Sequence, residues 1–242
     1  MGVFDGDKLI ANWRLATDKI KTVDEYGILI KNLFVDRNLP ASQVTEAVIS
    51  SVVPPVTGLF ENVVEKYFGV RWLVVGPGVK TGLVIKYDNP REIGADRVVN
   101  AVAGVNLYGP PLIIVDFGTA TTFCAIAPNG DYLGGPLAPG LGIASDALFQ
   151  RTAKLPRVEL VKPQTVIGKN TIHSMQAGLI YGYIGLVEGL ITRIKAEMNC
   201  KPMVIATGGF AEIIASETGM IDRVNSDLTL EGLRLISNLN KA

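Results

Sequence analysis

Three short segments combine residue types that can handle a phosphate or a hydroxyl group. The first is Asp116-Phe117-Gly118-Thr119-Ala120, at the end of the apolar run Pro111 to Val115. A carboxylate there can hold a cation or its bound water. Gly118 lets backbone N–H groups approach phosphate oxygens, and the Thr119 hydroxyl adds a donor. The plainer reading is a strand-end turn in which the aspartate caps its own backbone. The second segment is Tyr87-Asp88-Asn89-Pro90 followed by Gly94-Ala95-Asp96-Arg97. An acid beside an arginine can accept a hydroxyl proton while the guanidinium holds a carbonyl or carboxylate. Taken alone, an N-cap aspartate opening a helix near Val98 explains these residues better. The third is Thr207-Gly208-Gly209, after the run Met203 to Ala206. Paired glycines permit close contact with a flat nucleoside, but they also end strands for steric reasons. Two apparent motifs fail on context. Gly76 to Gly82 lacks the GxxxxGK[ST] spacing of a phosphate loop, and Asp116-Phe117-Gly118 lacks the companion motifs of a protein kinase.

The elements that must position these residues alternate along the chain. Apolar, β-branched runs at Ala47 to Val53, Trp72 to Val75, Pro111 to Val115 and Met203 to Ala206 predict strands. Amphipathic segments at Val23 to Phe34, Val56 to Phe68, Thr171 to Met198 and Leu228 to Leu239 predict helices. Such alternation argues for an α/β protein with helices packed on mixed sheets. An internal similarity adds to it. The stretch PLIIVDFGTATTFCAIAPNGDYLGG reads strand, Gly-Thr turn, strand, Asn-Gly turn, strand, and the opening MGVFDGDKLIANW reads as a second hairpin. Aligning Gly6-Asp7 with Gly130-Asp131 makes the two hairpins copies, and the counterpart of Asp116 would fall before Met1. The first copy is therefore expected to lack its opening strand.

Composition excludes several classes. Lys plus Arg and Asp plus Glu are equal at 23 each, so no basic excess for nucleic acid exists. Hydrophobic residues make up 48% and charged residues 19%, which argues against disorder. The two cysteines, Cys124 and Cys200, do not form a disulfide framework and suit a reducing cytosol. Cys124 reads as a small apolar sheet residue, and Trp13 and Trp72 as core or interface aromatics. The lone histidine, His173, is assigned no chemistry. Charges at Asp5, Asp7 and Lys8 interrupt any signal peptide. The apolar stretch Gly178 to Ile191 contains Glu188 and is short, so it predicts a buried helix and no membrane span. A cytoplasmic protein is expected.

Two tandem units that each begin with an acid–Gly–Thr hairpin resemble the actin-like nucleotide-binding superfamily. That resemblance implies two ribonuclease-H-like domains, here 1–108 and 109–242, with an ATP cleft between them and the first strand missing. The ordered set DGDKLIANWRLATD, SSVVPP, Y-x6-GADR from Tyr87 to Arg97, DFGTATTF, GGPLAPG, GKNT and TGG is similar to the type III pantothenate kinase family over nearly the whole chain. The resemblance implies transfer of the ATP γ-phosphate to the terminal hydroxyl of pantothenate, the first step of coenzyme A synthesis. It makes Asp96 the general base and lines the pantothenate pocket with Tyr87, Gly94, Ala95, Asp96 and Arg97. It gives Asp116 to a required monovalent cation, potassium or ammonium, with Mg²⁺ accompanying ATP. Gly118, Thr119, Thr207, Gly208 and Gly209 are implied to contact ATP. Thr171 is implied to reach pantothenate from a neighbouring subunit, which makes the protein a homodimer. The family opens with a DxGNT strand that is not present in this sequence, so impaired activity is expected. The alternatives are a non-catalytic homologue acting as a binding or regulatory protein, and another actin-like sugar or acid kinase, which the motif set disfavours.

Overall fold

The computed structural model describes residues 1–241 and is a mixed α/β structure. Contacts divide the chain into two compact units that interleave in sequence. Unit 1 comprises Met1–Gly82, Arg91–Ala103 and Thr229–Ala242, and unit 2 comprises Leu83–Pro90 and Gly104–Leu228.

Unit 1 opens with the hairpin β1 (Gly2–Asp5) and β2 (Lys8–Asn12), turned at Gly6 with φ of 56°. The backbone there is left-handed, which glycine adopts without a Cβ penalty. Helix α1 (Val23–Asp36) follows, started by a capping box: the Thr22 hydroxyl accepts from Glu25 N–H and the Glu25 carboxylate accepts from Thr22 N–H. Strand β3 (Glu46–Ile49) and helix α2 (Pro54–Phe68) lead to β4 (Arg71–Val74), which lies parallel to β3. Prolines in the first turn of α2 suit positions whose N–H has no helical partner, and Gly69 at φ 63° ends the helix. The buried residues Tyr26, Ile30, Phe34 and Val63 join α1 to α2, with Trp13 stacked on Phe34 at 5.8 Å. Helix α3 (Ala95–Tyr108) begins in this unit.

Unit 2 is built on one sheet. Strands β5 (Leu112–Phe117), β6 (Ala120–Ile126) and β7 (Tyr132–Gly134) run antiparallel in turn, and β8 (Leu137–Pro139) also pairs with β6. After helices α4 (Leu141–Arg151) and α5 (Thr171–Met198), β9 (Met203–Gly208) lies parallel to β5. A short helix α6 (Ala211–Ala215) leads to β10 (Arg223–Val224), parallel to β9. The sheet order is β10-β9-β5-β6-β7. Helix α5 is long and apolar enough to cross a membrane by length and composition. Its residues Leu179, Ile180, Tyr183, Ile184, Val187, Ile191 and Ile194 are instead buried in the core beside Val115, Phe117 and Val204, which makes it the core helix of this unit.

The last helix, α7 (Leu228–Leu239), returns the chain to unit 1 from Thr229 onward. Thr229 Oγ1 donates to Asn100 Oδ1 of α3 at 2.7 Å. Gly232 lies so close to α3 that a Cβ would stand 2.1 Å from Val99 O. Arg234 ties the helix to the hairpin, pairing with Asp7 and with Glu231 and lying over the Phe4 ring.

The expected helices at Thr171 and Leu228 match α5 and α7. Strand β5 runs past Val115 to Phe117, so Asp116 is a strand residue paired with Thr122 and Thr207, not the start of a self-capping turn.

Candidate active site

In unit 2 the register of the sheet gathers two of the three segments. Asp116 pairs with Thr207 and Phe117 with Gly208, so the β5–β6 turn at Gly118-Thr119 and the end of β9 share one sheet end. Gly209 N–H donates to Phe117 O at 3.1 Å, which locks the second glycine onto β5. Gly208 has φ of 95°, and a Cβ on it would stand 2.7 Å from Asp116 Oδ1. A Cβ on Gly118 would be 3.6 Å from the same oxygen. The half-buried Asp116 carboxylate therefore lies too close to Gly208 for a side chain there, and within ordinary contact distance of a Cβ at Gly118. Gly118, Thr119 and Gly209 are exposed, whereas Thr207 is 2% exposed and its side chain is directed into the protein.

The turn is held from behind by residues that motif reading did not single out. Gly140 N–H donates to Thr119 O at 3.1 Å, and a Cβ on Gly140 would come within 2.1 Å of that oxygen. Gly135, at φ 143°, approaches Phe123 O just as closely. Tyr183 of α5 donates its hydroxyl to Pro139 O at 3.1 Å and pairs with the Thr121 hydroxyl. Burial pushes the Tyr183 phenol above its usual pKa, so it stays neutral and able to donate. The GGPLAPG segment entered the sequence reading only as part of the family resemblance, and nothing in the sequence pointed to Tyr183.

Tyr87 also belongs to unit 2. Lys86 N–H donates to Tyr132 O at 2.8 Å and Tyr132 N–H to Val84 O at 2.9 Å, which aligns this segment with β7. The Tyr87 ring then lies over Gly134, whose absent Cβ would be 3.2 Å from the ring edge. Thr171 opens α5, behind the N-cap Asn170, whose side chain accepts from His173 N–H at 2.9 Å. It lines a groove of about 830 Å³ with Leu148, Leu155, Lys169, Asn170 and Met175. That groove does not include the residues of the Asp116 turn.

Gly94 to Arg97 lie in unit 1, at the start of α3. Asp96 is half-buried, and its Oδ1 accepts from Arg97 N–H at 2.9 Å. A Cβ on Gly94 would come within 2.5 Å of that oxygen, so glycine there makes room for the carboxylate. Arg97 is buried, at 7% exposed. The helix thus opens at Ala95, three residues before the expected start near Val98, and Asp96 sits in its first turn, where the helix dipole favours a negative charge.

Asp116 offers one half-buried carboxylate, a hard oxygen donor of the kind that a hard cation takes. Among the described residues no group of three or more His, Cys, Asp or Glu could hold a metal ion. A single carboxylate supplemented by neutral oxygens fits a weakly charged cation better than a transition metal.

Set against known proteins, the fold comes first. A solved Baf family protein from Campylobacter jejuni superposes with a TM-score of 0.53 at 18% identity, covering 82% of this chain and 84% of that one, and so shares the fold. Residues 1–193 match the type III pantothenate kinase family. The type III pantothenate kinase of Geobacter sulfurreducens is 56% identical over 241 residues, taking in 100% of this chain and 94% of the relative. That of Geobacillus kaustophilus is 56% identical over 240 residues, 99% of this chain and 93% of the relative. The chain belongs to the type III pantothenate kinase family. With more than nine-tenths of these relatives matched, the family's activity is read for this chain without the impairment expected from a lost strand.

Proposed function

We propose that this chain phosphorylates pantothenate at its terminal hydroxyl with ATP, the committing reaction of coenzyme A synthesis. The observation that supports it is family membership over the full chain, together with the order of the motifs on the structure. We infer further that both units are ribonuclease-H-like and the fold actin-like. The repeated order of hairpin, helix, strand, helix, strand and helix supports a division at 1–108 and 109–242 by repeat, although the compact units interleave.

In unit 1, Asp96 accepts the hydroxyl proton as the pantothenate oxygen bonds to the γ-phosphorus, and the bond from that phosphorus to the β-phosphate bridging oxygen breaks to release ADP. Gly94, Ala95 and Arg97 line the pantothenate site, where the guanidinium meets a carboxylate or carbonyl, and Tyr87 is assigned to the same substrate. In unit 2, the N–H groups and hydroxyl of Gly118-Thr119 receive phosphate oxygens, and Thr207 to Gly209 lie near the adenosine. Asp116 would hold potassium or ammonium, which together with the Mg²⁺ that accompanies ATP would offset phosphate charge.

The test is ADP release coupled to pantothenate with potassium, ammonium or sodium as the sole monovalent cation. Activity is expected with potassium or ammonium and about tenfold or more below that with sodium. Asp116→Asn should lose that discrimination along with most turnover. Equal rates in all three salts would remove Asp116 from the cation role.

The protein also acts as a homodimer in this reading, with Thr171 reaching the pantothenate of the partner. Exposed apolar residues around Thr171 support it: Val166 is 65%, Ile167 81% and Ile172 48% exposed. Sedimentation equilibrium at micromolar concentration should give twice the chain mass, and Thr171→Ala should raise the KM for pantothenate. A monomer that is fully active would overturn the dimer.

A further inference from the structure

Tyr183 is a buried ionisable side chain to which the proposed reaction gives no part, yet it touches what surrounds the Gly118–Thr119 turn on three sides. Its ring lies 6.4 Å from that of Phe117, the residue that leads β5 into Gly118. Its hydroxyl meets the hydroxyl of Thr121, where β6 leaves the turn, and the carbonyl of Pro139, where β8 ends. The strands are in register there: Phe117 faces Thr121, and Thr121 faces Ala138. Phe117 and Thr121 are 1% exposed and Tyr183 6%, so bulk water does not stand in for any of these partners.

The direction of the bonds follows from what each group can do. Pro139 O only accepts, so the single Tyr183 proton goes to it, and the Thr121 hydroxyl donates to Tyr183. The chain ends on one particular peptide. Pro139 C=O and Gly140 N–H belong to the same planar unit and point opposite ways. Tyr183 holds its oxygen, and its N–H donates to Thr119 O at 3.1 Å. That plane cannot rotate without breaking both bonds. Gly118 and Thr119 themselves are exposed, so the shape of the turn depends on this support from within.

We infer that Tyr183 is a positioning residue for ATP: through the Pro139–Gly140 peptide it holds the Gly118–Thr119 turn in the shape that receives phosphate oxygens. The inference rests on the proposed reading of that turn as an ATP contact. Donors that are already aimed lose little freedom when the ligand arrives, so removing the support should weaken ATP binding. Because the turn would hold ATP before and during transfer alike, the loss should fall mainly on the KM for ATP.

Tyr183→Phe keeps the ring against Phe117 and removes only the hydroxyl. Calorimetry without pantothenate should show ATP bound about tenfold more weakly, and the KM for ATP should rise by a similar factor. The KM for pantothenate should stay within about twofold, and the Gly140 amide should exchange about tenfold faster. Thr121→Val, which removes the donor at the head of the chain, should shift ATP affinity in the same direction. Tyr181→Phe is the matched control: on the same helix, its hydroxyl donates to Pro163 O at 2.9 Å, between α4 and α5, and its loss should leave ATP affinity unchanged. The inference is overturned if Tyr183→Phe and Thr121→Val both bind ATP like the parent. It is overturned equally if Tyr181→Phe matches Tyr183→Phe, or if the two KM values rise together, since the hydroxyl would then only stabilise the unit. A parent that binds ATP but leaves pantothenate unphosphorylated would refute the proposed reaction alone, because calorimetry and the Gly140 amide still decide the role of Tyr183.

Discussion

Asp96→Asn is expected to lower turnover by about 10²-fold or more while leaving ATP affinity and folding unchanged. The amide keeps the size of the carboxylate and can still accept from Arg97 N–H, so the opening turn of α3 is preserved. What it cannot do is take the hydroxyl proton as the phosphoryl group arrives. The loss should appear equally in kcat and kcat/KM, because the proton moves only on the way to the transition state. Steady-state kinetics at saturating ATP, with ATP affinity measured separately by calorimetry, checks this. Turnover within a few-fold of the parent would remove Asp96 from the role of base.

Gly208→Ala should be strongly destabilising for unit 2. The residue holds φ at 95°, a conformation that costs an alanine roughly 1–2 kcal/mol. Its Cβ would also lie 2.7 Å from Asp116 Oδ1 and from Phe117 backbone atoms, and displacing well-packed neighbours costs about 1–3 kcal/mol more. A loss of about 2–5 kcal/mol should lower the melting temperature by roughly 4–20 °C. Nucleotide affinity should fall with it, since the carboxylate must move. Gly142→Ala is the control: it sits in α4 with open space around its Cβ, so it should be neutral or slightly stabilising. Equal melting temperatures for the two variants would show that the Gly208 backbone relaxes freely.

Much of the architecture was legible because local signals agreed with each other. The Asn-Gly and Asp-Gly turns marked both hairpins, and the amphipathic segment Thr171 to Met198 coincides with α5 over its observed length. Helix α4 was missed: it follows Pro139-Gly140 with neither a side-chain cap nor strong periodicity, and packing on α5 stabilises it. The start of α3 was placed late because Gly94-Ala95 reads as loop, yet Gly94 is needed to accommodate the Asp96 carboxylate. The candidate site was legible as separate motifs, and the β5–β9 register that unites Asp116 with Thr207 is a non-local fact. So are the close approaches of Gly135 and Gly140, and the hydroxyl of Tyr183 behind the turn. No spacing rule reaches across such separations.

The interleaving of the units sets an order for biosynthesis. Unit 2 takes nearly all of its residues from one continuous stretch, Gly104–Leu228, and can condense once that stretch clears the ribosome. Unit 1 is made first but receives α7 last, through Thr229–Asn100 and Arg234–Asp7. Its early segments must therefore wait, with apolar strands uncovered, while some hundred and more residues are translated. The nascent chain is most in need of chaperone protection over that interval, at the end that emerged first.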